Sequence, residues 1–370
     1  MGEIRNDGRL ASLDALRGLD MLLITGLPAL LAALIGGVFG CGDCWLLKSM
    51  SHVEWAGFNV MDTVFPLFMF ISGVAYPYSF AKRQERGDSR RRIALKILWR
   101  TLALVLLGIV YNGFFTTVFT KGFAAVRYPS VLARIGLAWG GAACLYVFCG
   151  RKTRIAVAAA ILLVYWALLA FVAAPGSAPG TDTFSPNGCF VCWLDRHIWP
   201  NGWADPEGLL STFPAVVTTM GGMFAGELVR GEKLSGGFKT LILLGASLAC
   251  GLVAWAWSPW CPIVKKLWTS TFVLAAWSYS LAFFAVFYWL VDVMMWRKWT
   301  FFFRVIGVNS ILVYFLRILF DFQKPANFFF QGFASWVGAP WAGVVNAAAY
   351  ILMVWLVLLL FYRKKIFLRV

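Results

Sequence analysis

About ten apolar runs of roughly 20 residues, parted by short charged or Gly/Pro-rich turns, constrain this chain more than any single motif does. They fall near 19–40, 59–81, 93–112, 131–150, 155–174, 207–229, 240–257, 268–291, 301–322 and 341–362. A bilayer core about 30 Å thick takes a helix of roughly 20 residues, so each run has the length of one crossing. A further stretch, 327–338, is too short to cross and reads as an interfacial or re-entrant piece. The apolar residues recur at the helical period and not in the alternation of an outer-membrane barrel. Hydrophobic residues make up 61% of the 370 and charged ones 14%, with mean hydropathy +0.75, which is more apolar surface than one soluble core encloses. The sequence therefore predicts an all-α polytopic membrane protein of about ten transmembrane helices, forming a single membrane domain over 1–370.

The N-terminal segment mixes acidic and basic residues and shows no cleavage pattern, so it is expected to stay in the cytoplasm. Assigning loops alternately to the two sides then places 22 of the 33 basic residues inside and seven outside, with Arg100, Arg134, Arg304 and Arg317 within spans. Both termini come out cytoplasmic. The net charge of +16 is read as this topology signal and as attraction to anionic lipid headgroups, with no nucleic-acid partner required.

Five of the eight cysteines fall on the outer side: Cys41 with Cys44, Cys189 with Cys192, and Cys261. Two C-x-x-C pairs suit a tetrahedral zinc site, and His197 is near enough in sequence to join them. Outside the cytoplasm thiols oxidise, so a disulfide from the first outer loop to the 175–206 loop is the simpler expectation. Unpaired thiols are the third reading, and no metal is expected.

Ionisable groups inside spans are costly unless they meet a partner or a polar cavity, which makes each one a candidate. At the outer ends stand His52, Asp62, Arg134, Glu207 and Lys266; at the inner ends stand Asp14, Arg17, Arg100 and Arg304; Asn309 and Ser310 lie near mid-span of the ninth run. Several have plainer explanations. Asp14 and Arg17 suit a helix-start pair, Arg317 and Asp321 an ion pair four residues apart, Asp205 a cap before Pro206, and Trp268 an interfacial belt. His52 beside the carboxylate of Asp62 would be a base, the acid orienting the ring and stabilising its imidazolium. Pro66, four residues past Asp62, frees a backbone carbonyl and suits a helix lining a cavity.

The stretches SLDALRGLDM, SHVEWAGFNVMDTVFPLFMFISG, YPSVLARIGL, WADPEGLLSTFPAVVTTMGGMFAGEL, KKLWTSTFVL and GVNSILVYF resemble, in order, motifs of the heparan-alpha-glucosaminide N-acetyltransferase family and its bacterial relatives linked to amino-sugar use. The resemblance runs from about residue 9 to about 320. It implies a homodimeric transmembrane enzyme that moves an acetyl group from cytosolic acetyl-CoA to the amino group of a glucosamine-type sugar on the other side of the membrane. His52 matches the family's essential histidine, Asp62 the acid after it, Arg134 the arginine of the VLQRLG stretch and Glu207 the acid of DPEG. Ala133 stands where the family usually has Gln, and LLITGLPALL lacks an Asn of the animal enzymes, changes that bear on the acceptor. The short N-terminus points to the bacterial branch and its inner membrane.

On that resemblance, Arg17 and Arg100 are expected to hold the nucleotide phosphates, and the pantetheine arm to pass Asn309 and Ser310 on its way to His52. Arg134, counted with these cofactor-binding residues, or a nearby hydroxyl would stabilise the oxyanion. Asp205, Glu207, Lys266 and Trp268 would bind the sugar. Direct transfer with His52 as general base and a covalent acetyl-histidine both fit. The rival class is a transporter of an amino sugar or another small solute, since intramembrane charges and broken helices also line solute paths.

Overall fold

The computed structural model describes residues 10–199 and 208–367, and among these no strand forms; the extended pairings are single antiparallel bridges, Ala56 with Val264 and Ala173 with Cys189. Helix α1 (Ala11–Thr25) leads to α2 (Leu27–Leu31) and a π-helical turn over Ala32–Val38, and α3 (Trp45–Ser49) lies in the loop before α4 (Val60–Glu85). The chain continues through α5 (Arg90–Tyr111), α6 (Phe114–Lys121), α7 (Val131–Phe148), α8 (Arg151–Phe171), α9 (Phe190–Ile198) and α10 (Thr212–Arg230). It closes with α11 (Gly236–Trp257), α12 (Ser270–Tyr288), α13 (Thr300–Gly307), α14 (Ser310–Leu319), α15 (Gln323–Val337) and α16 (Trp341–Arg363).

Among the described residues seven helices are long and apolar enough to cross a membrane, or up to nine if each of two bent pairs is one crossing. The chain is thus an all-α polytopic membrane protein. The expected span near 207–229 is α10, 19 residues long, whose threonines and glycines make it less apolar than the others. The short stretch near 327–338 is α15, at 15 residues.

The helix ends follow from the sequence. Ser89, Ser130 and Ser235 each stand just before a helix and accept from the backbone N–H three residues on, at 3.3, 3.0 and 3.3 Å, which satisfies a donor the helix itself leaves open. The first span breaks at Gly26, with Pro28 in the first turn of α2, and its halves meet at 66°. The ninth breaks at Val308 and Asn309, between α13 and α14, at 69°.

The chain divides into two compact units. One takes in the described residues of Met1–Val53, Asn59–Val64 and Phe283–Arg369. In it α1 runs against α13 with backbones nearly touching: a Cβ on Gly18 would stand 1.9 Å from the Phe303 carbonyl oxygen, and one on Gly307 would stand 2.1 Å from that of Asp14. Small residues serve here because lipid supplies no hydrophobic drive between helices, so close backbone packing must hold them. α16 joins through Trp355, whose Nε1 donates to the Phe302 carbonyl at 3.1 Å while the two rings stack.

The other unit takes in Glu54–Phe58 and the described residues of Phe65–Ala282. Its inner helices are α4 and α7, each 61% buried, whereas α5 and α8 at 28% and α11 at 22% leave most of their surface for lipid. α10 lies directly on α4, where added Cβ atoms on Gly73, Gly222 and Gly226 would meet the carbonyl oxygens of Thr219, Phe70 and Val74 at 2.2, 2.0 and 2.4 Å.

Candidate active site

In the first unit, Asn59 directly precedes α4 and Asp62 is the third residue of that helix. Asp62 Oδ2 accepts from Asn59 N at 3.2 Å and from Val53 N at 3.3 Å, so the carboxylate closes the helix start and pins the loop before it. The Asn59 amide completes the loop by donating to the carbonyls of Lys48 and Ser51 at 3.1 and 3.0 Å. The other oxygen, Oδ1, lies 2.8 Å from His52 Nδ1. An ionised carboxylate only accepts, so in this contact Nδ1 is the donor. The His52 side chain is 59% exposed while that of Asp62 is 1% exposed, so an accessible ring stands on a sealed anchor.

In the second unit, Arg134 is buried on the first turn of α7, held there by the Ser130 cap. Its Nη2 donates to the Gly208 carbonyl at 3.3 Å and to Ser211 Oγ. The guanidinium carbon lies 5.0 Å from the centre of the Trp268 ring, an aromatic face that stabilises a cation in a dry site. Trp268 is 1% exposed: Phe65 and Phe272 meet its ring edge to face at 5.0 and 5.1 Å, and its Nε1 donates to Thr218 Oγ1 at 3.0 Å. Its backbone takes φ of +55°, an unusual conformation for a bulky residue, and the loop fixes it there, with Leu267 O accepting from the Tyr165 hydroxyl at 2.6 Å. The corner at Gly208 and Leu209 is held in turn by buried Asp195 of α9, which accepts from Leu209 N at 3.0 Å.

The remaining candidates are more scattered. Lys266 is exposed, its ammonium 5.6 Å from the Trp55 ring centre. Arg100 lies in mid-α5 with its guanidinium carbon 4.1 Å from the Trp139 ring centre. In the first unit Arg17 pairs with Asp14 at 3.6 Å, the expected helix-start pair. Asn309 is fully buried at the α13/α14 break, where Nδ2 donates to the Ile366 carbonyl at 3.3 Å, and Ser310 opens α14. Asp205 and Glu207 lie outside the described residues.

Two expectations need correction. Arg317 and Asp321 do not pair, because α14 ends at Leu319 and leaves Asp321 off the helical face; Asp321 approaches Lys324 at 3.9 Å instead. The disulfide between the first outer loop and the 175–206 loop is not formed either, since Cys41, Cys44, Cys189, Cys192 and Cys261 are all free thiols. Cys189 and Cys192 sit at and just inside the start of α9, where the spacing lets them bond to each other. The Cys192 thiol donates to Cys189, holding Cys189 below and Cys192 above the ordinary thiol range.

Sequence reasoning missed the groups that hold Arg134 and Trp268, namely Gly208, Ser211, Thr218, Asp195 and Phe65. It also missed a buried ion pair, Arg154 with Glu227 at 2.6 Å, because RKTR reads as an inner anchor. Buried Asp20, in α1, has neither carboxylate oxygen hydrogen-bonded among the described residues; it lies in the SLDALRGLDM stretch at the start of the first apolar run and was passed over among the candidates.

The first unit thus holds an imidazole oriented by a buried carboxylate, and the second a guanidinium enclosed against an aromatic ring. No family model matches the chain. Human (Homo sapiens) heparan-alpha-glucosaminide N-acetyltransferase is 26% identical over 415 aligned positions, which cover 97% of this chain and 59% of the human protein. The mouse (Mus musculus) protein of the same name is 25% identical, over 83% of this chain and 53% of its own length. The chain therefore spans a little over half the length of the curated relatives it matches.

Proposed function

We infer from these two relatives that the chain is a distant member of the heparan-alpha-glucosaminide N-acetyltransferase family, and we propose that it is a membrane-embedded N-acetyltransferase using acetyl-CoA as donor and a glucosamine-type sugar as acceptor. The observation that carries this reading is the His52–Asp62 pair, because amine acylation needs a base and this imidazole is oriented by a buried carboxylate while its side chain stays exposed.

In the proposed reaction His52 Nε2 takes a proton from the acceptor amine as the nitrogen attacks the thioester carbonyl. Asp62 stabilises the imidazolium that forms. Within the second unit Trp268, enclosed as it is, acts by holding the Arg134 guanidinium in place, and that group carries the kind of charge an oxyanion calls for. Collapse breaks the carbon–sulfur bond, and the leaving thiolate recovers the proton from the imidazolium. Amine and thioester become amide and thiol, with every proton accounted for.

On the topology read from the basic residues, the donor comes from the cytoplasm, where Arg17 and Arg100 bind its phosphates, and the acceptor from the opposite side, where Lys266 and the acids Asp205 and Glu207 bind the sugar. Location in the inner membrane of a bacterium is proposed from the resemblance to the family's bacterial relatives.

The experiment is direct. Purified protein in detergent is given acetyl-CoA labelled in the acetyl group and glucosamine, and N-acetylglucosamine is measured by mass spectrometry. Labelled product that disappears in His52→Ala supports the reading. Glucosamine uptake into vesicles with no acetylation, unchanged in His52→Ala, overturns it in favour of transport.

A further inference from the structure

The second unit buries a polar cluster that none of the proposed roles above uses. Tyr76 of α4 lies with its ring 5.6 Å from that of Trp139 and 5.3 Å from that of Tyr146, both on α7. The Arg154 guanidinium carbon, from the first turn of α8, stands 4.3 Å from the Tyr146 ring centre, and Arg154 Nη2 donates to Glu227 Oε1 of α10 at 2.6 Å. Tyr76, Trp139 and Arg154 are 4%, 5% and 6% exposed, while Tyr146 and Glu227 are half-buried.

The hydrogen-bond inventory of this cluster is lopsided. The Tyr76 hydroxyl, Trp139 Nε1, Arg154 Nε and Arg154 Nη1 are all buried and have no hydrogen-bond partner among the described residues. Of these, three can only donate and the fourth donates readily. Glu227 Oε2 is the one acceptor left over, and it cannot serve four donors. Buried donors in native proteins are almost always matched, and an unmatched set of this kind marks a missing acceptor. The charge agrees. Glu227 neutralises Arg154, and Arg100, stacked on Trp139 at 4.1 Å, adds a further positive charge; Arg83 and Arg100 both act electrostatically on Tyr76.

We propose that Tyr76, Trp139 and Arg154 form a binding site for a phosphoryl group. Such a group presents several acceptor oxygens and negative charge together, which suits a guanidinium with one edge already fixed by a carboxylate and two further N–H groups on offer. The phosphoryl group comes either from the donor's nucleotide or from the headgroup of an anionic lipid. The nucleotide source rests on the acetyltransferase reading; the lipid source does not.

The test uses full-length protein purified in neutral detergent and in nanodiscs. Tyr76→Phe and Trp139→Phe each remove one donor and little else, and the paired change R154Q/E227Q removes both charges together, leaving none stranded. Retention of fold is checked by gel filtration. Coenzyme A binding is measured by calorimetry, and enrichment of phosphatidylglycerol over phosphatidylcholine around the protein by native mass spectrometry.

For a nucleotide source, coenzyme A binding falls about three- to tenfold in each aromatic variant and further in the pair, as expected for loss of one hydrogen bond and then of a charged group. For a lipid source, phosphatidylglycerol enrichment falls and coenzyme A binding does not. Both outcomes support the site. Wild-type behaviour toward both ligands in all three folded variants overturns it. A protein that makes no N-acetylglucosamine yet loses phosphatidylglycerol enrichment in Tyr76→Phe keeps this site while losing the acetyltransferase reading.

Discussion

Trp268 Nε1 donates to Thr218 Oγ1 at 3.0 Å in a fully buried setting, so the ring that supports Arg134 is anchored to α10 by a single hydroxyl. Thr218→Val keeps the shape and deletes the acceptor. Leaving the indole N–H unsatisfied is expected to cost about 1–3 kcal/mol of stability. A lowered melting temperature in detergent, with turnover reduced more than acceptor KM is raised, is the expected pair of readouts. An unchanged melting temperature would show that the bond contributes nothing.

Removing the imidazole in His52→Ala is expected to lower turnover by about 10²- to 10⁴-fold, the range of general-base contributions. Asp62→Asn is expected to lower both turnover and stability, because Asp62 Oδ2 also accepts from Val53 N and Asn59 N. Steady-state kinetics and melting curves on the two variants separate the effects. His52→Ala should melt like the wild type, and Asp62→Asn should not.

At the crossing of α1 and α13, Gly307→Ala places a methyl group where the Asp14 carbonyl already stands, 2.1 Å from the ideal Cβ position. Backbone cannot swing aside as a side chain can. The expected loss is about 1–3 kcal/mol or more, typical of overpacking, read as reduced yield of monodisperse protein and a lower melting temperature.

Asp88, between α4 and α5, gives a pH dependence with a definite sign. Its hydrogen bond from Lys96 at 2.9 Å, reinforced by Arg92, holds the carboxyl below its ordinary range. A group whose folded pKa is depressed stabilises above its unfolded value, about 3.9 for Asp, and loses that contribution as pH falls through the folded value. The difference in melting temperature between wild type and Asp88→Asn should therefore be constant from neutrality to about pH 5 and shrink below about pH 4. A difference that grows on acidification would contradict the assignment.

Thiol labelling divides the cysteines. Exposed Cys41 should react with a maleimide in folded protein, whereas Cys189, Cys192 and Cys261, packed in one apolar cluster, should react only after denaturation. Mass spectrometry of the labelled peptides reads the outcome.

The spans were legible because lipid solvation writes a long, uniform signal into sequence, and caps such as Ser89 and Ser130 sharpen their ends. His52 and Asp62 were legible because a rare titratable residue near an acid at a helix start stands out against an apolar background. The partners of Arg134 were not. Gly208 and Ser211 are ordinary membrane-protein residues, and only folding brings them to a guanidinium 74 and 77 positions away in the chain. The free cysteines failed for a related reason: C-x-x-C at a helix start satisfies itself locally, which spacing alone does not distinguish from half of a distant bridge. Arg317 and Asp321 failed because the pairing rule assumes a helix that continues, and α14 stops at Leu319.

The glycine seam joining α4 to α10 bears on how this protein can move. With Gly73, Gly222 and Gly226 each seated against a carbonyl of the opposite helix, those two rods are riveted at successive turns and have no slack to slide or part. Any cleft that admits a molecule must open along some other boundary, and cross-linking α4 to α10 should be silent where a cross-link over the true opening would arrest the cycle.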